Sequence, residues 1–158
     1  MHDPALTLHL SSPDQTAKVA EQLAHRLKPG DVILLSGPVG AGKSHFSRHL
    51  IQSILLEPED VPSPTFTLVQ TYETQRGELW HSDLYRIGST AEIEELGLAE
   101  AFEDAICLVE WPDRLGALAP EDAVTLELSH GADEQSRVLT VFWTDTKWAD
   151  RTSQWAET

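Results

Sequence analysis

Gly37-Pro38-Val39-Gly40-Ala41-Gly42-Lys43-Ser44 follows the near-continuous apolar run Val32-Ile33-Leu34-Leu35 and precedes a stretch of helical spacing that runs to about Leu55. The octapeptide fits G-x-x-x-x-G-K-[ST] without deviation, in the strand–turn–helix setting that this pattern requires. The apolar run is that of a strand buried on both faces, as in the middle of a parallel sheet. Glycines let the backbone turn tightly and bring its N–H groups against phosphate oxygens. The helix that starts there adds unpaired amides and the positive end of its dipole. Lys43 supplies a cation for the β- and γ-phosphates, and Ser44 a hydroxyl oxygen for Mg²⁺. The sequence thus nominates Gly37, Val39, Gly40, Ala41, Gly42, Lys43 and Ser44 to bind ATP, with Mg²⁺ as the accompanying ion.

Around this loop the chain alternates strands and helices. Ala5 to Leu10 reads as a short strand, and Ser12-Pro13 with Gln15 as a helix start. Ala17, Ala20, Leu23, Ala24 and Leu27 form its apolar stripe, and Pro29-Gly30 stops it. Beyond an extended loop marked by Pro58, Pro62 and Pro64, Phe66 to Tyr72 and Leu79 to Tyr85 read as strands joined by Thr74-Gln75-Arg76-Gly77. Ser89 and Glu92 form a capping box for the next helix. Ala105 to Glu110 is a second buried strand. Val124, Leu126 and Leu128 alternate with polar residues in a half-exposed strand, which Arg137 to Trp143 pairs across Gly131. Thr146 to Trp155 reads as a helical tail, and Trp143, Trp148 and Trp155 as packing residues. The expected fold is α/β: a P-loop NTPase fold, one three-layer domain over residues 1–158 with a mixed central sheet including antiparallel strands.

The bulk numbers narrow the function. Eleven Lys and Arg stand against 26 Asp and Glu, a formal charge of −15. Such a field repels a long polyanion, whose binding depends on phosphate neutralisation by Lys and Arg. A small phosphorylated ligand is still accessible, because screening removes charge beyond about 8 Å. The acidic surface serves either a basic protein partner or simple solubility. No apolar run approaches the roughly 20 residues of a membrane span. Met1-His2-Asp3-Pro4 has no basic head, so a cytoplasmic address is expected. Cys107 is the sole cysteine, and its apolar neighbours point to a buried, inert thiol.

In this class an acidic residue at the end of a buried strand holds the metal. Glu110 ends Ile106-Cys107-Leu108-Val109, provided that its strand lies beside Val32 to Leu35. Asp83, in His81-Ser82-Asp83-Leu84-Tyr85-Arg86, reads equally as a metal-site or water-orienting carboxylate and as a loop cap. Thr65, in Ser63-Pro64-Thr65-Phe66, is either a sensor of the γ-phosphate or an ordinary turn residue. Trp111 either walls the pocket or covers the edge of the core. His81 invites a metal or base role but reads more readily as a structural histidine, and Arg86 as a charge that could lie near the phosphates.

Gly-Ala-Gly-Lys-Ser at 40–44, Ser-Pro-Thr-Phe at 63–66, His-x-Asp-Leu-Tyr-Arg at 81–86 and Val-Glu-Trp-Pro at 109–112 occur in one order and spacing that resembles the TsaE (YjeE) family. The resemblance covers nearly the whole chain, although only these four motifs are specific. It implies an ATPase needed for the threonylcarbamoyl modification of adenosine in certain tRNAs. Such a protein docks on the partners TsaB and TsaD and resets them by ATP hydrolysis, without transferring the group itself. tRNA is then met only through the complex, in keeping with the charge of −15. By position, Lys43 binds phosphate, Ser44 and Glu110 hold Mg²⁺, Thr65 senses the nucleotide, Asp83 contributes to hydrolysis, and Trp111 lies near the site. Ser44 stands where the family often has threonine, and Pro38-Val39 is less usual inside the loop. The alternatives are a small-molecule kinase on the same scaffold and a nucleotide-gated binding module.

Overall fold

The computed structural model describes residues 3–38, 40–62, 64 and 69–157. Its strands are β1 (Leu6–Leu10), β2 (Val32–Ser36), β3 (Val69–Thr74), β4 (Gly77–Asp83), β5 (Ile106–Glu110), β6 (Val124–His130) and β7 (Arg137–Phe142). Helices α1 (Pro13–Ala24), α2 (Lys43–Gln52), α3 (Thr90–Glu95), α4 (Leu98–Asp104) and α5 (Lys147–Arg151) connect or follow them. All seven strands form one sheet in the order β1-β7-β6-β2-β5-β4-β3. The central β6, β2, β5 and β4 are parallel. Antiparallel β7 and β1 extend one side, and β3 closes the other. The expected mixed α/β sheet is what the chain forms.

The side-chain period of a strand explains how the layers separate. Ile33 and Leu35 of β2, with Ile106 and Leu108 of β5, join the core built on α1, α2 and Trp148. Val32 and Leu34, with Cys107 and Val109, join the opposite core beneath α3 and α4. Both faces of the sheet are therefore covered, which is why these strands read as unbroken apolar runs. On β4, Leu79 packs into the α1–α2 core. His81 and Asp83, at two and four residues further, share its face, as Glu110 shares that of Ile106 and Leu108. This parity brings three polar residues under α2.

Several boundaries shift for identifiable reasons. Helix α2 ends at Gln52, short of Leu55, because Leu55 bridges Thr74 and Leu56 N–H donates to Glu73 O at the edge of β3. Strand β4 ends at Asp83 rather than Tyr85, where Asp83 Oδ1 accepts the Tyr85 N–H at 2.9 Å and bends the chain. In both helix-start boxes the reciprocal bond lands one residue early. Gln15 Oε1 accepts from Ser11 N–H at 2.8 Å and Glu92 Oε2 from Gly88 N–H at 3.2 Å. The helix begun at Ser89 breaks into α3 and α4 at Gly97, whose φ of +82° suits glycine. Residues Phe66 to Leu68 of the expected third strand lie outside the described residues.

The tail is helical only in part: α5 gives way to a 3-10 turn at Ser153–Glu157. Trp148 and Trp155 are buried, and their indole N–H groups donate to Asp122 O at 2.7 Å and Val19 O at 2.9 Å. Asp31 ties the tail to the sheet. Its buried carboxylate accepts from Arg151 Nε at 2.8 Å and Lys28 N–H at 2.9 Å, and faces Lys147 Nζ at 3.2 Å. Removing one member of a buried ion pair strands its partner. Asp31→Ala is therefore expected to lower stability by about 3 kcal/mol, read from urea denaturation. A loss under about 1 kcal/mol, typical of exposed pairs, would show that the tether is dispensable.

Candidate functional site

The turn after β2 is shaped by close approach. A Cβ on Gly37, at φ +143°, would lie 2.2 Å from Leu128 O of β6, so this position admits no side chain. Gly40 and Gly42 also have positive φ, and Gly42 starts α2 with no side-chain cap. The N–H groups of the first turn of α2 thus receive no capping side chain from Gly42, the arrangement that favours an anion. Val39 lies outside the described residues.

Lys43, in that first turn, is buried. Its ammonium donates to Gly37 O and sits 3.9 Å from the centroid of the Trp111 ring. Burial pushes the Lys43 pKa down, while Glu110, Asp83 and Asp113 act in the opposite sense. Ser44 is exposed on the same turn. Trp111 is held in a left-handed conformation (φ 59°, ψ 54°), the sole positive-φ non-glycine among the described residues. That conformation costs roughly 1–2 kcal/mol for an L-residue. It sets the indole against both the Lys43 ammonium and the Tyr85 ring, at 4.8 Å between centroids. Strain of this kind concentrates at functional sites.

Two carboxylates meet at the same level of the sheet. β2 and β5 are parallel with Leu35 opposite Glu110, which satisfies the geometric condition set on Glu110. β4 and β5 place Asp83 opposite Glu110. Both are buried. Glu110 Oε2 lies 2.6 Å from His81 Nε2 and 3.5 Å from Ser47 Oγ of α2. The backbone carbonyl of Glu110 accepts the Leu84 N–H at 3.1 Å, which fixes the chain immediately after Asp83. Lys43, Asp83, Glu110 and Trp111 are therefore brought together. Thr65, with Ser63 and Phe66, lies outside the described residues. Cys107 is buried, and its thiol is pushed up to about 12 by burial, as expected of an inert side chain.

Arg137 is the residue that sequence reasoning missed. The sequence presents it as one of a few scattered cations, with no motif nearby. Folding places the first residue of β7 against the loop, where Nε donates to Ala41 O at 3.0 Å and Nη2 to Gly40 O at 3.4 Å. Nη1 donates to Ser136 O at 2.7 Å and Glu134 O at 2.9 Å, so one guanidinium joins the loop to the β6–β7 turn. Beside it, Pro13, Thr16, Gly42, His45, Gln135 and Arg137 line a cavity of about 130 Å³. Larger open depressions lie elsewhere, such as one of about 510 Å³ near Asp31 and Phe102, but away from the glycine loop.

The profile of the family described as "Threonylcarbamoyl adenosine biosynthesis protein TsaE" matches residues 10–139. The chain belongs to the TsaE family. The TsaE match spans the loop, both carboxylates and Arg137, and stops before α5. Among curated TsaE proteins, that of Rickettsia felis is 39% identical over 85% of this chain and 78% of its own length. The TsaE protein of Bacillus subtilis is 33% identical over 80% and 79% respectively. That of Aquifex aeolicus is 42% identical over 66% and 75%. All three are named for tRNA threonylcarbamoyladenosine biosynthesis. The crystal structure of Bacillus subtilis YdiB superposes with a TM-score of 0.76 over 99% of this chain and 98% of that one, at 24% identity, so it shares the fold.

Proposed function

We propose that this chain is a magnesium-dependent ATPase serving the threonylcarbamoyl modification of tRNA adenosine. The observation that carries the reading is the convergence of Lys43, Asp83 and Glu110 beside a glycine loop that begins a helix. A triphosphate laid along the loop receives N–H groups from the first turn of α2. Lys43 exchanges the Gly37 carbonyl for β- and γ-phosphate oxygens, a gain for a cation already partly stripped of water. Arg137 pairs with the Gly40 and Ala41 carbonyls, so those negative dipole ends are already engaged when the anion arrives. The adjoining cavity, between α1 and the β6–β7 turn, would receive part of the nucleoside beside Pro13 and His45.

Ser44 and Glu110 would hold Mg²⁺. Among the described residues no three His, Cys, Asp or Glu side chains converge as a metal site. That suits an ion which takes one or two carboxylates and fills its remaining positions with phosphate and water. When bound, Mg²⁺ neutralises charge between the phosphates and the carboxylates and polarises the γ-phosphoryl group. Asp83, level with Glu110, would orient the attacking water, and Thr65 would sense the γ-phosphate. Asp83→Asn is expected to retain ATP binding and to slow turnover about 100-fold, within the range for a positioned acid–base group. Unimpaired turnover in that variant would remove Asp83 from the chemistry.

The partners in this reading are TsaB and TsaD, with tRNA reached through them. The net charge of −15 supports the division of labour, because this chain's field repels RNA. No described helix is long and apolar enough to cross a membrane. The test is phosphate release from ATP by the chain alone and with TsaB–TsaD. Slow release alone and faster release with the pair is the expected result. A small-molecule kinase would consume ATP only with its acceptor, and a nucleotide-gated module would bind the pair without faster turnover. Either result rejects the ATPase reading.

A further inference from the structure

Glu110 is held from one side. Its Oε2 carries the short contact with His81 Nε2, 2.6 Å, and both side chains are 3% exposed. Ser47 Oγ stands 3.5 Å from the same oxygen. His81 lies on β4 opposite Leu108, one pleat below the Asp83–Glu110 level, and so reaches the carboxylate from beneath. Its other ring nitrogen, Nδ1, is buried with no hydrogen-bond partner among the described residues. An imidazole that donates through Nε2 leaves only a lone pair unmatched there, whereas an N–H at Nδ1 would be a stranded donor. The hydrogen-bond inventory therefore puts the proton on Nε2, aimed at Glu110.

We propose that His81 is the positioning residue for Glu110: its Nε2–H fixes Oε2 and the plane of the carboxylate, leaving Oε1 for the divalent cation or its water. This rests on the nucleotide reading above. A carboxylate at the end of a side chain otherwise rotates freely about its last bond. A ligand clamped by a fixed donor loses less freedom when the ion arrives, and such outer contacts change metal affinity by roughly 10–100-fold. The alternative is that His81 only fills and satisfies the core, in which case its loss would affect stability and leave the ion's affinity alone.

Two isosteric amides separate these readings. His81→Gln carries its amide nitrogen near the place of Nε2, within reach of Glu110, whereas His81→Asn carries it near the place of Nδ1, out of reach. Calorimetric titration with ADP, over a series of Mg²⁺ concentrations and in EDTA, reads the metal's contribution directly. The expected result is a half-saturating Mg²⁺ concentration raised about tenfold in His81→Asn, with ADP affinity in EDTA unchanged. His81→Gln recovers most of the wild-type response. In a Glu110→Gln background the two His81 variants then behave alike. Wild-type magnesium dependence in His81→Asn overturns the proposal, as does an equal shift in both variants or an effect that persists without Glu110. A wild-type chain whose ADP binding ignores Mg²⁺ overturns instead the nucleotide reading on which it rests.

Discussion

Lys43→Ala lowers affinity for ATP by about 100-fold, or about 3 kcal/mol, the loss expected from removing a charge-assisted contact to phosphate. The size follows from the environment. Lys43 is buried, its ammonium faces the Trp111 ring at 3.9 Å, and it donates to Gly37 O. A cation so placed retains little bulk water to set against the phosphate, so the ligand's gain is large. Alanine also removes the ammonium that faces the Glu110 and Asp83 carboxylates, and phosphate then approaches less compensated charge. Two unit charges 4 Å apart at an effective dielectric of about 20 repel by roughly 4 kcal/mol. Competition calorimetry with ATP and Mg²⁺ measures the loss. An affinity within about threefold of wild type, under about 1 kcal/mol, would show that the lysine does not meet phosphate.

Glu110→Gln separates binding from turnover. The amide preserves the volume of the side chain within its buried setting, while removing the charge that would hold the metal. Without Mg²⁺, nucleotide affinity should equal or exceed that of wild type, because one carboxylate near the phosphates is gone. With Mg²⁺ the usual strengthening should be lost, and turnover stimulated by TsaB–TsaD should fall by about 100-fold or more, as when an electrostatic stabiliser is removed from a reaction centre. Binding as a function of Mg²⁺ and phosphate release together check the two halves. Magnesium dependence equal to that of wild type would exclude Glu110 from the metal's surroundings.

What the sequence made legible was local or periodic. The glycine loop, the apolar runs of β2 and β5 and the cap at Ser12 each follow from neighbours along the chain. The two-residue period of a strand puts His81 and Asp83 on one face of β4, but only the observed pairing of β4 with β5 sets Glu110 beside them. His81 could have been placed by that same parity, since it sits two residues before Asp83 on the face that carries Glu110. Arg137 could not, because its contact with Ala41 O arises from the sheet order that sets β7 and β6 beside β2. The left-handed backbone of Trp111 likewise has no local signature: a bulky aromatic disfavours it, and only the surrounding packing holds it. The break between α3 and α4 lay in Gly97, which a capping box read from Ser89 does not locate.

Calorimetric titration of the wild-type chain with ATP and ADP, in millimolar Mg²⁺ and again in EDTA, tests most directly whether the loop from Gly37 to Ser44 grips a nucleotide. The expected result is one nucleotide per chain, bound more tightly with Mg²⁺. No heat with either nucleotide, at any Mg²⁺ concentration, would contradict the account.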